Sequence, residues 1–134
     1  MKYVIDASVA LKWVLDEPGK TAADALLDDE LLAPSLWLTE AANALWKRTQ
    51  RGEIGADESK ALLAELYSAP VTTVPVEADV VSALEIANRL RHPVYDCLYL
   101  ALAVREQAPL VTADRRFLAA VQGDPALAGL LRLL

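Results

Sequence analysis

The chain has 134 residues, 54% of them hydrophobic, and a formal net charge of −6. That length suits one domain with one core, spanning residues 1–134, and the composition excludes a disordered chain. One cysteine, Cys97, and one histidine, His92, exclude an internal disulfide and a zinc site built on several thiolates or imidazoles.

The acidic balance speaks against a nonspecific DNA coat, which would be basic. It does not speak against a nuclease, whose cation-holding carboxylates lower the net charge by themselves. Asp6 and Lys12 break the first apolar run too early for a cleavable signal, and no stretch reaches the length of a membrane span. The expected compartment is the cytoplasm.

Taken in chain order, residues 2–6 predict a first strand ending on Asp6, and Val9 to Leu15 carry apolar residues at helical spacing until Pro18 and Gly19. Lys20 to Leu27 predict a second helix, and Leu31 to Ala33 a short strand. Pro34 and Ser35 then turn into a long helix lined by Leu38, Ala41, Ala42, Leu45 and Trp46 and ended by Gly52. Asp57 to Tyr67 predict another helix, and the β-branched run Val71 to Val76 a strand with Pro75 near its end.

Glu77 to Leu90 predict a helix. A further helix opens at His92-Pro93, with Pro93 in its first turn and a stripe of Tyr95, Leu98, Tyr99 and Leu102. Pro109 to Thr112 predict a strand and Arg115 to Val121 a short helix. The tail, Leu127 to Leu134, reads as an edge strand or a docking helix. Short strands alternating with helices imply an α/β fold with a mainly parallel sheet covered on both faces. Such sheets place ligands beyond the carboxyl ends of their strands.

Four acids fall at or near junctions between these elements: Asp6 at the end of the first strand, Glu40 in the first turns of the long helix, Asp96 just after His92-Pro93, and Asp114 just after the last core strand. Strand carboxyl ends and helix amino ends share one edge of such a sheet, so the four can converge there. Together they would repel one another unless a cation intervened. A hard ion with oxygen ligands, Mg²⁺ or Mn²⁺, suits them better than zinc. The competing account is local: Asp6 can cap the helix after it, and Asp96 and Asp114 can be favourable first-turn charges. Glu40 has no such account, because Asn43 and Ala44, three and four residues on, offer it no cation.

The strings around the four acids are VIDAS (4–8), PSLWLTEAANALWK (34–47), YDCLYLALA (95–103) and VTADRRF (111–117). In order and spacing the chain resembles the PIN domains, and most of all the small VapC-type toxins that pair with an antitoxin. The resemblance implies a three-layer α/β/α ribonuclease whose acidic cluster binds Mg²⁺ or Mn²⁺ and activates water against an RNA phosphodiester. Asp6, Glu40, Asp96 and Asp114 match the catalytic, metal-binding acids. Ser8 and Thr112 match the small hydroxyl residues that support them. Where some relatives carry a further acid two places after the last one, this chain has Arg116, which weakens any second metal position. The resemblance also implies a cognate antitoxin as partner.

Arg115 and Arg116, next to Asp114, are the candidate RNA contacts, and Lys47, Arg48 and Arg51 form a second basic group that also reads as a favourable helix end. His92 alone cannot serve as both general acid and general base, and reads as a helix-start or surface residue. Trp13 and Trp46 lie on apolar stripes, whereas Trp37 is the tryptophan expected at a wet edge near Glu40. Apolar candidates for a homodimer surface are Trp13, Val14, Trp46 and the leucine-rich tail. An aspartyl-phosphate enzyme, with Asp6 as nucleophile, lacks the second acid at Ser8 and a late lysine clamp. A non-catalytic RNA- or protein-binding module with this fold is the other alternative, and the presence of all four acids speaks against it.

Overall fold

Strands and helices alternate along the whole chain in the computed structural model, which describes residues 1–134. Strand β1 (Lys2–Ile5) is followed by helices α1 (Ala7–Val14) and α2 (Lys20–Ala25), a single 3₁₀ turn (Leu26–Asp28) and β2 (Glu30–Pro34). Next come α3 (Trp37–Gln50), α4 (Ala56–Tyr67), β3 (Val71–Val74), α5 (Val80–Leu90) and α6 (Val94–Glu106). Strand β4 (Leu110–Thr112), α7 (Arg115–Gln122) and β5 (Leu131–Leu133) complete the fold.

All five strands are parallel, in the order β3-β2-β1-β4-β5. From the central β1 the chain builds outward through β2 and β3, then returns to add β4 and β5 on the other side. Val4 and Ile5 stand in register with Leu110 and Val111. The sheet order therefore reverses between β1 and β4, and a crevice opens beyond the carboxyl ends of those two strands.

Burial on both faces explains the strand sequences. Val4 and Ile5 of β1, Leu31 to Pro34 of β2 and all of β4 are buried, so they read as continuous apolar runs without alternation. Helices cover both faces, which makes the three-layer α/β/α arrangement. Helix α6 lies against β1, β2 and β4 and also packs on α5, while α1 packs on α2, α3 and α4. Seven consecutive residues of α6, Cys97 to Ala103, are buried, so this is a central helix. The stripe expected on it is wrong at one position, because Tyr95 is 67% exposed.

Several boundaries shift for local reasons. The third strand stops at Val74 because Pro75 has no N–H to give the ladder. The next helix begins at Val80, three residues late, since Val76 to Asp79 form a turn closed by the Asp79 N–H on the Val76 carbonyl (2.8 Å). Pro93 precedes α6 as its cap, in extended backbone. The tail is an edge strand, β5, beside β4, with Leu127 and Leu131 in the core. Two tryptophans exchange their expected places. Trp37 is 2% exposed and its indole donates to Thr73 Oγ1 (3.3 Å), so it is a core residue and no wet edge, while Trp46 is 56% exposed. No helix is long and apolar enough to cross a membrane.

Candidate active site

A cleft of about 620 Å³ lies beyond the ends of β1 and β4, and Asp6, Glu40, Asp96 and Asp114 all line it. Four elements far apart in sequence supply them, as the junction placement of the acids predicts. Each acid has its own local support.

Asp6 is both a helix cap and a cleft acid. Its Oδ1 accepts from the backbone N–H groups of Ser8 (3.0 Å) and Val9 (3.4 Å) at the start of α1 and from the Ser8 hydroxyl. Its Oδ2 accepts from the Thr112 hydroxyl. Those hydroxyls in turn accept from the turn after β4: Ala113 N–H bonds Ser8 Oγ (2.9 Å) and Asp114 N–H bonds Thr112 Oγ1 (3.0 Å). Ser8 and Thr112 thus tie the ends of β1 and β4 together through Asp6. Burial pushes the Asp6 carboxyl up to about 6, against the pull of Ser8, Thr112 and the Val9 N–H, and the charge of Asp96 adds to the rise.

Glu40, on α3, accepts from the Tyr99 hydroxyl at Oε1 (2.5 Å). Burial raises its pKa, the Tyr99 hydrogen bond lowers it, and the charges of Asp96 and Asp6 raise it further. Asp96, in the first turn of α6, stands 2.6 Å from His92 Nε2 through Oδ2. A carboxylate only accepts, so the ring nitrogen is the donor. The His92 ring stacks on Phe117, with centroids 5.3 Å apart. The histidine therefore backs a cleft acid and anchors it to α7; it is neither a free surface residue nor a general acid and base pair.

Asp114 is the most exposed of the four. It caps α7, accepting at Oδ1 from Arg116 N–H (2.9 Å) and Phe117 N–H (3.2 Å). Arg115 and Arg116 are exposed and form no ion pair with it; neither lines the cleft. Lys47 is the basic side chain that does line it, whereas Arg48 is held by Glu17 and Glu53.

The donor set suits a hard divalent cation: carboxylate oxygens with the Ser8 hydroxyl and Asn43 nearby, and no thiolate or imidazole on the cleft wall. Burial is the main cause of the rise at both Asp6 and Glu40; the charge of Asp96 on Asp6, and the charges of Asp96 and Asp6 on Glu40, add a repulsion that such an ion would relieve. The four acids rest on protein donors around the cleft wall, and no three acidic, histidine or cysteine side chains are gathered into a ready-made cage.

The PIN-domain family model matches residues 3–122. The chain belongs to the PIN-domain family. Ribonuclease VapC3 of Pyrobaculum aerophilum is 36% identical over 120 residues, which cover 87% of this chain and 92% of that relative. This PIN domain is also similar in structure to PAE2754 from Pyrobaculum aerophilum, with a TM-score of 0.72 and 25% identity over 92% of this chain and 81% of that one. VapBC2 from Rickettsia felis, bound to a DNA fragment from its promoter, shares the fold at a TM-score of 0.68 and 17% identity, over 99% and 98% of the two chains.

Sequence reasoning missed Tyr99 and His92 as supports of the site. The signals were present: Tyr99 follows Asp96 by three residues on one helix, and His92 precedes it by four. Neither spacing says that the phenol crosses to α3 or that the imidazole bonds the first turn of the helix that follows it.

Proposed function

We propose that this PIN-domain protein is a VapC-type endoribonuclease. It hydrolyses RNA phosphodiester bonds with Mg²⁺ or Mn²⁺ held by Asp6, Glu40, Asp96 and Asp114. The observation that carries the reading is the meeting of all four acids in one cleft at the point where the sheet order reverses. The name of the Pyrobaculum relative supports the reaction class.

The bound cation would supply Lewis acidity, making water a better nucleophile and offsetting charge on the phosphate. The chain's own residues do the rest. Ser8 and Thr112 hold the Asp6 carboxylate still, so its charge is fixed where the ion is needed. Lys47 places a positive charge on the cleft wall for a phosphate of the substrate. Arg115 and Arg116, outside the cleft beside Asp114, hold the RNA backbone flanking the cut bond.

In this reading an antitoxin silences the enzyme by covering the acidic edge with basic side chains, and the protein acts as a homodimer in the cytoplasm. Solved toxin–antitoxin assemblies with this fold support such a partner.

The test is single-turnover cleavage of a mixed RNA pool with Mn²⁺, and with a chelator as control. The chelator should abolish cleavage. Asp6→Asn, Glu40→Gln and Asp96→Asn should each lower the rate by roughly a hundredfold or more, with circular dichroism unchanged. Asp57→Asn, on the exposed start of α4, should match wild type. Wild-type cleavage by all the cleft variants would refute the assignment.

A further inference from the structure

The Glu40 carboxylate has one hydrogen-bond partner in the protein, and that partner comes from another helix. Its neighbours along α3, Asn43 and Ala44, carry no cation, and it forms no ion pair. Left to itself, a glutamate with three rotatable bonds beside Asp6 and Asp96 would swing its charge away from them. It does not, because the Tyr99 hydroxyl holds Oε1 at 2.5 Å.

Tyr99 is suited to that task. It is 1% exposed, so packing leaves the hydroxyl little freedom to move. It stands one helical turn after Asp96 and faces the same cleft. A carboxylate only accepts, so the Tyr99 hydroxyl is the donor in this bond. With Oε1 occupied, Oε2 is the oxygen left for a ligand.

We propose that Tyr99 is a positioning residue of the metal site: through its hydroxyl it fixes the Glu40 carboxylate in the cleft, with one oxygen taken and the other presented to the cation. Helix α6 then supplies two parts of the site, one acid directly through Asp96 and one indirectly through Tyr99. The inference rests on the metal-dependent reading above.

Tyr99→Phe removes one oxygen and keeps the ring in place. Mn²⁺ binding to the protein without RNA is measured by calorimetry, alongside a melting curve with chelator. The expected result is an affinity about ten- to a hundredfold weaker, the usual cost of losing a donor that orients a ligand. Cleavage should fall at limiting Mn²⁺ and recover at saturating Mn²⁺. In a Glu40→Gln background the same substitution should change Mn²⁺ affinity by less than about twofold, because the carboxylate it serves is gone.

Unchanged Mn²⁺ affinity in Tyr99→Phe would overturn the inference, as would an equal loss in the Glu40→Gln background. If Tyr99→Phe fails to fold, the hydroxyl proton of Tyr99 is followed by NMR in the wild type. A resonance moved both by Mg²⁺ and by Glu40→Gln upholds the inference, and one moved by neither or by only one overturns it. A wild-type protein that takes up no Mn²⁺ would overturn the metal-dependent reading and this inference with it. Wild-type uptake with an indifferent Tyr99→Phe overturns this inference alone.

Discussion

Asp6 shows how one side chain serves fold and function at a cost. As the cap of α1 it satisfies two backbone donors, yet its carboxylate is 9% exposed and close enough to Asp96 to feel its charge. Its carboxyl titrates near 6, up from an ordinary 3.8, with burial as the main cause. Between about pH 4 and 6 the folded metal-free protein therefore binds more protons than the unfolded chain. Stability falls as pH rises through that window and levels off above it. Glu40 shifts in the same direction and adds to the trend. The Asp6 contribution is on the order of 3 kcal/mol at neutral pH. Urea denaturation of chelated protein from pH 4 to 8 should show the decline, and Asp6→Asn should flatten it. A wild-type profile that rises with pH would contradict the buried-charge account.

At the scale of elements, the parallel α/β pattern and the junction acids were legible because both depend on local chemistry: apolar runs, turn residues and a carboxylate at a strand end. What was not legible depends on partners distant in sequence. Trp37 is core because Thr73 takes its N–H, and Trp46 is exposed because no neighbouring element covers that side of α3. Asp79 is a further case, an acid 4% exposed that sequence reasoning passed over. It makes no side-chain cap bond to α5; both its oxygens accept from Arg105 at the far end of α6 (2.8 Å each). The pair clamps α5 onto the helix that carries Asp96 and Tyr99. Asp79→Ala should destabilise the protein by about 1–2 kcal/mol in chemical denaturation, modest because Arg105 is 43% exposed and regains water. Arg105→Ala should cost more than Asp79→Ala, since it leaves the buried carboxylate without its partner. Equal stability of both variants and wild type would mean that the clamp is idle.

For the molecule as a whole, the proposed homodimer needs a surface on which a second copy can sit. Of the apolar candidates visible in the sequence, Trp13 and Val14 pack against the core and the tail tucks Leu131 inward, so Trp46 alone stays exposed. The structure adds a face the sequence concealed, because α5 turns Val80, Val81 and Leu84 to solvent at 43%, 70% and 51% exposure. These residues share one side of the helix by their spacing, while Ala83, Ile86 and Ala87 fill the core on the other. Covering such a face on association recovers apolar area that folding alone leaves in water. Light scattering across a dilution series should therefore give a dimer mass at high concentration that falls toward the monomer as the protein is diluted. Val81→Glu combined with Leu84→Glu should give a monomer throughout, with little change in melting temperature because both positions are exposed. Trp46→Ala should leave the dimer intact if α5 is the contact, and weaken it if α3 is. A wild type that stays monomeric at every concentration would remove the homodimer from the proposed function, leaving the cleft and its chemistry as they are.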